Sequence, residues 1–108
     1  MKYVLDIPAI IYRDISGIGN YIAADKPTAA KKIVGELFKA IERLADNPFA
    51  YIELNKKFDV ETDLRGCFKK PYVILFRIEE NIIKVYRVID GRSDYLVRIG
   101  LKESSDDI

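Results

Sequence analysis

The stretch from Lys70 to Asp94, Lys-Pro-Tyr-Val-Ile-Leu-Phe-Arg-Ile-Glu-Glu-Asn-Ile-Ile-Lys-Val-Tyr-Arg-Val-Ile-Asp-Gly-Arg-Ser-Asp, decides the fold. From Tyr72 to Ile78 every residue but Arg77 is aromatic, β-branched or Leu, and Ile82 to Ile89 repeats the pattern with only Lys84 and Arg87 interrupting. Runs of this composition read as strands, and their scarcity of polar positions predicts burial on two faces. Glu79, Glu80 and Asn81 supply the polar punctuation of a short hairpin loop, with Asn tolerating the left-handed backbone such turns often require. The two runs are expected to form the antiparallel centre of a sheet. Strict alternation puts Ile83, Val85, Arg87 and Ile89 on one side of the second strand. Arg87 then projects from an apolar row and needs a carboxylate partner or a solvent-facing rim.

Working outward, Leu64 to Phe68 reads as a short strand, antiparallel to the Tyr72 strand and joined to it by Lys69-Lys70-Pro71. Phe49 to Asp63 is expected to be an ordered but irregular crossing that lies against the body through Phe49, Tyr51, Ile52, Leu54 and Phe58. Before it, Ala30, Ile33, Val34, Leu37, Phe38, Ile41 and Leu44 make the apolar stripe of a helix, begun at Pro27 and stopped at Asn47-Pro48. An earlier helix runs from Ala9, with Ile10, Ile11, Ile15, Ile18, Tyr21 and Ile22 at three-and-four spacing. Gly17 and Gly19 weaken it by about 1 kcal/mol each relative to Ala and are expected to bend or break it. The break at Asp25-Lys26 makes the two helices an αα-hairpin, whose apolar faces the sheet must cover. Lys2 to Ile7 is a first strand that alternates Tyr3, Leu5 and Ile7 against Lys2, Val4 and Asp6. After Asp94, Tyr95 to Leu101 is apolar enough to dock as a short helix or edge strand. The expected class is α+β, in the order strand, helix, helix, three strands and a short terminal element, with the helical hairpin on a small antiparallel sheet.

The chain has 108 residues, a length that suits a single domain, placed here at residues 1–102 with a polar, disordered tail at 103–108. Lys and Arg number 18 against 17 Asp and Glu, a net charge of +1, so composition by itself announces neither a nucleic-acid nor an anionic-membrane partner. No apolar run approaches the roughly 20 residues that span a bilayer, and residues 1–8 are too short an apolar run for a signal peptide core, so a cytoplasmic location is expected. A lone Cys67 excludes an intramolecular disulfide and reads as a small core residue. With no His in the chain, the usual zinc ligand sets and the Ser/His and Cys/His nucleophile pairs are missing, and neither a metal nor a cofactor is expected.

The segments "IGNYIAADKPTAAKKIVGEL", "LADNP" and "LRGCFKKPYVILFRIEENIIKVYRVIDGRSD", in this order and spacing, resemble the ParE/RelE superfamily of bacterial toxins from type II toxin–antitoxin modules. The match runs from Tyr3 to Tyr95 and leans to the ParE branch, whose members act on DNA gyrase. The resemblance implies a toxin that inhibits gyrase by binding it, a cognate antitoxin as partner, and no sequence-specific DNA binding by this chain. The alternative is the RelE branch, which cuts messenger RNA on the ribosome with Lys and Arg side chains that stabilise the charge developing at phosphorus. On that reading Arg65, Arg87, Arg92 and Tyr95 would be the catalytic set, with Val73 standing where such enzymes place an Arg. A third reading is a non-toxic interaction module of the same fold. The chain departs from many ParE members in carrying Asp90-Gly91 where they read His-Gly.

Arg87 and Arg92 admit two readings: contacts for an acidic antitoxin segment or a phosphate, or structural ion pairs with Asp90 or Asp94. Lys69 and Lys70 read as solvated positions at strand ends. Gly91 is expected to allow a positive backbone angle at the elbow. Tyr95 reads as a packing residue. An apolar groove for a partner is expected beside Ile10, Ile18 and Ile22, or around Leu96 and Ile99.

Overall fold

The two apolar runs form the centre of the sheet. In the computed structural model, which describes residues 2–103, they are β4 (Tyr72–Glu79) and β5 (Ile82–Asp90), paired antiparallel. β3 (Arg65–Lys69) lies antiparallel to β4, the two-residue β2 (Ile52–Glu53) lies antiparallel to β3, and β1 (Val4–Asp6) runs parallel to β5. The order across the five-stranded sheet is β1-β5-β4-β3-β2. The expected antiparallel sheet thus gains a parallel edge, because β1 and β5 are joined through the rest of the chain and no hairpin dictates their direction. As alternation predicts, Tyr3, Leu5 and Ile7 pack on the core while Lys2, Val4 and Asp6 face water.

The helical hairpin covers one face of this sheet. α1 (Ala9–Ala23) and α2 (Pro27–Arg43) are separated by the short break before Pro27, which takes the first helical position. Ile11 and Ile15 of α1 and Leu37 and Ile41 of α2, with Leu44 beyond it, are buried with Ile74, Phe76, Ile83, Val85 and Val88 of the sheet. Ile10 and Tyr21, counted on the apolar face of the first helix, are instead exposed at 38% and 82%. α1 passes through Gly17 and Gly19 without a break. Gly19 has a packing reason: a Cβ there would lie 2.8 Å from Val34 Cγ2, so its absence lets the helices close.

The opposite face has its own cover. The crossing after Pro48 is more ordered than its composition suggests, with a 3-10 turn (Pro48–Ala50), β2, and a one-turn helix α3 (Leu54–Lys57). Leu54 donates its backbone N–H to Leu64 O at 3.0 Å, closing the loop between them. Leu54 and Leu64, with Tyr95 and Leu96 of the terminal helix α4 (Tyr95–Arg98), bury Val73, Leu75 and Ile89 in a second core. Tyr72 through Phe76 are consequently buried without exception, the two-faced burial expected of them. Cys67 is buried in the main core, where desolvation raises its thiol pKa. Except for Glu103, the expected disordered tail at 103–108 lies outside the described residues.

Two local features differ from the strand pattern. Phe76 faces Val85 and Leu75 faces Arg87, so Tyr86 has no cross-strand partner and forms a bulge. The bulge resets the alternation: Ile83, Val85 and Val88 enter the helix-side core and Ile89 the opposite one, so the single row of Ile83, Val85, Arg87 and Ile89 does not exist. In the hairpin turn Glu80, not Asn81, adopts the positive φ, at 54°. An ion pair between Glu79 and Lys84 braces that turn.

The two α1 glycines should respond oppositely to the same change. Gly17→Ala, with nothing within 4 Å of the new methyl, gains about 0.5–1 kcal/mol from helix propensity. Gly19→Ala meets Val34, a side chain stiff at χ1, and overpacking of roughly 1–3 kcal/mol should exceed the same gain. Urea midpoints at unchanged m-value check both signs.

Candidate functional site

Arg87 follows the unpaired Tyr86 at a point where β1 has ended, because β1 pairs only with Ile82, Ile83 and Lys84. The outer edge of β5 is therefore open to a side chain from α1. Asp14 takes the place. Its Oδ2 accepts from Arg87 Nε at 2.8 Å and from the Val88 backbone N–H at 3.0 Å, and its Oδ1 accepts from Arg87 Nη2 at 2.9 Å. The Asp14 side chain is only 10% exposed, so this bidentate, charge-assisted pair works in a partly dry environment. The Asp14 hydrogen bond is the main reason the Arg87 pKa lies above its ordinary value. Arg87 thus has the carboxylate it needs, from α1 and from neither Asp90 nor Asp94.

The elbow after β5 is built from its own residues. Asp90 accepts from Arg92 at three points, the backbone N–H at 2.8 Å, Nε at 3.0 Å and Nη2 at 2.7 Å. These bonds, the side-chain ones first, hold the Asp90 carboxyl below its ordinary pKa. Ser93 Oγ donates to Asp90 O at 2.6 Å, and the Gly91 N–H donates to Pro71 O at 2.7 Å. A Cβ at Gly91 would stand 3.0 Å from both Pro71 O and Val73 Cγ2. Gly91 is therefore required for close approach; the glycine with positive φ among the described residues is Gly100.

Arg87 and Arg92 border one open cleft of about 560 Å³ between α1 and the end of β5. Among the described residues, four arginines (Arg13, Arg87, Arg92 and Arg98) and two aspartates (Asp14 and Asp90) line it, leaving two positive charges in excess. Asp14 and Asp90 are spent on Arg87 and Arg92, whereas Arg13 and Arg98 form no ion pair among the described residues. Tyr21, at 82% exposure, presents an aromatic ring to the same opening. The cleft suits an anionic partner surface with an aromatic or guanidinium contact.

The other candidate residues lie elsewhere. Ile18 lines the cleft, but Ile22 packs on the main core, and Leu96 and Ile99 belong to the second core. Arg65 Nη1 donates to Tyr51 O at 2.9 Å and Phe49 O at 3.3 Å, Nη2 lies 3.4 Å from Glu53 Oε1, and the guanidinium rests 5.1 Å from the Phe49 ring centroid. It fastens the 3-10 turn and β2 to β3. Tyr95 is 7% exposed, sits edge-on to Phe58, and has its pKa raised by burial. Asp14 and Arg13 are cleft residues that pattern reading passed over, and Tyr21 is one it assigned to the buried face of the helix. Asp14 carries a legible signal: it stands three residues after Ile11 and four before Ile18, a carboxylate on the buried face of a helix.

Among the described residues no group of His, Cys, Asp or Glu is placed to hold a metal ion, and no helix is long and apolar enough to cross a membrane.

Removing the Asp14 carboxylate leaves the Arg87 guanidinium and the Val88 N–H without their acceptor. Asp14→Ala should cost about 2–3 kcal/mol, and Asp14→Asn, which keeps one acceptor oxygen, clearly less, as read from urea unfolding. At the elbow, the Asp90 carboxyl should titrate by NMR below its ordinary value of 3.8, and Arg92→Ala, which removes the side-chain bonds but keeps the backbone N–H, should bring it part of the way back. Because its pKa is depressed on folding, the elbow pair contributes stability above the ordinary aspartate range and loses it as pH falls through the folded value.

The family described as ParE toxin of type II toxin-antitoxin system, parDE, matches residues 12–95. No curated protein matches the chain. Among solved structures, one described as the chromosomal ParDE TA system from P. aeruginosa superposes with a TM-score of 0.71 at 15% identity, over 82% of this chain and 96% of that one. At that identity the likeness speaks for the fold, and the fold is the one built up above. With the greater part of the chain matched, from the first helix to the elbow after β5, the protein belongs to the ParE toxin family of type II toxin–antitoxin systems.

Proposed function

We propose that this toxin acts by occupying DNA gyrase and is neutralised by a cognate antitoxin, as a single domain over residues 1–102 in the cytoplasm. The observation that carries the reading is the commitment of the candidate catalytic side chains to internal bonds. Arg87 is locked to Asp14, Arg92 to Asp90, Arg65 to the 49–53 segment, and Tyr95 is buried. A ribonuclease needs such groups free and converging on one phosphate. Arg87 and Arg92 line the arginine cleft, Tyr95 borders a different pocket with Arg92, and Arg65 lines neither. The set does not assemble around one reacting atom. What the cleft offers is a surface, with Arg13 and Arg98, which form no ion pair among the described residues, and the exposed Tyr21 as contacts and Ile18 as an apolar neighbour. Aromatic and Arg side chains of this kind dominate protein–protein contact energies.

Purified protein should block supercoiling of relaxed plasmid by gyrase with ribosomes absent, and equimolar antitoxin should restore it. An Arg13→Glu/Arg98→Glu variant should weaken inhibition by about tenfold or more while its urea midpoint stays near that of the parent. Message cleavage on purified ribosomes, abolished by Arg92→Ala, would replace this reading with the nuclease one. Neither gyrase inhibition nor message cleavage, together with unchanged growth on expression without antitoxin, would leave the non-toxic module.

A further inference from the structure

The sheet face opposite the helical hairpin is not fully covered. Between α3, the β3–β4 turn and the elbow after β5 lies a second open pocket of about 550 Å³, within the size range of sites that take one small ligand or a large side chain. Its floor is apolar and firm: Val73 and Tyr95, both of the second core, are each at most 7% exposed. Phe68 and Pro71 form walls, and Gly91 keeps the elbow tight against Pro71 and Val73. The rim has one sign of charge. Lys57, Lys70 and Arg92 come from three separate segments, and among the described residues no carboxylate lines the pocket. Only Arg92 has an acidic partner, Asp90; Lys57 and Lys70 form no ion pair among the described residues, and Lys57 lies over the Phe58 and Phe68 rings at 5.7 and 5.1 Å.

We propose that this pocket binds an acidic segment of a partner protein, seating one aromatic or large aliphatic side chain on the Val73–Tyr95 floor with flanking carboxylates at Lys57 and Lys70. An apolar floor flanked by Lys57 and Lys70, which have no acidic partner among the described residues, is complementary to an apolar group with negative neighbours. The cations stand on three segments around the mouth, an arrangement that a chain with carboxylates on both sides of its anchor can engage at several points. Lys57 on two aromatic rings is already positioned, so less side-chain freedom is lost on binding. The proposal shares with the proposed function only the premise that the chain acts through protein partners. Its test uses neither gyrase nor antitoxin, so the two can fail separately.

The probe is the capped peptide Glu-Glu-Phe-Glu-Glu, titrated to millimolar concentration into labelled full-length protein and followed by NMR. The Val73 methyl, Gly91 amide and Tyr95 ring signals should shift in a saturable way. A Lys57→Glu/Lys70→Glu variant should lose about tenfold or more in affinity. The control Lys32→Glu/Lys39→Glu, with the same change in net charge on exposed α2 positions, should bind within about twofold of the parent. Retained spectral dispersion establishes that each variant is folded. Absence of shifts, shifts confined to the arginine cleft, equal binding of Glu-Glu-Gly-Glu-Glu, or equal loss in the control would each overturn the proposal. Phenylacetate binding there as tightly as the peptide would assign the pocket to a small organic acid instead.

Discussion

β4 is buried on both faces over five consecutive residues, Tyr72 to Phe76, and that constraint shapes the rest of the molecule. Tyr72, Ile74 and Phe76 need one apolar layer and Val73 and Leu75 another. A chain of this size cannot supply two helical layers of equal weight. It spends its long amphipathic helices on one side and covers the other with short pieces, α3 and the loop to Leu64 together with α4. The asymmetry has a consequence for recognition. The thin layer is assembled from segments that meet at their ends, and where they meet the sheet remains accessible, with the cations of those segment ends around the opening.

The thick layer is held in register by a polar pin. Helix packing against a sheet through Ile, Leu and Val is favourable over a range of small displacements, since burial is nearly indifferent to direction. The bidentate Asp14–Arg87 pair is directional, and the added bond from the Val88 N–H ties the carboxylate to the β5 backbone as well as to its side chain. The pin stands beside the Tyr86 bulge, where β5 leaves β1 and its edge would otherwise present an unpaired donor. A bulge, an open strand edge and a carboxylate on a helix's inner face thus explain one another. The same pin orients the arginine cleft, because α1 supplies Arg13 and Tyr21 to a wall whose other side is the end of β5.

Charge on this protein is informative only locally. The net charge of +1 conceals, among the described residues, a cleft with four arginines to two aspartates and a pocket rim with three cations and no anion. Where a carboxylate neutralises an arginine, as at Asp14 and Asp90, the result is scaffold; Arg13, Arg98, Lys57 and Lys70 have no such partner among the described residues. Arg65 belongs with the scaffold, since two backbone carbonyls and the Phe49 ring take up its guanidinium.

Composition and period were enough to place β4, β5 and the two long helices, because double-sided burial and the helical stripe each write themselves into local sequence. They were enough, too, for the Pro27 boundary and the alternation of β1; the family was legible only through the resemblance of particular segments to known toxins and is shown by the family match over residues 12–95. They did not reveal β2 or α3, two and four residues long, whose conformations come from the edge of β3 and from the Leu54–Leu64 closure and not from local propensity. Nor did they reveal the bulge, since an unpaired residue is defined by a register between two strands, and so they misplaced the side-chain row that contains Arg87. The identity of a guanidinium's partner lies further still beyond pattern: Asp90 and Asp94 were near in sequence, but Asp14, remote in the chain, was brought alongside when α1 docked on β5. Local order was set by the residues themselves, and the pairing of charges by packing, because the hydrophobic effect chooses which surfaces meet before any ion pair can form between them.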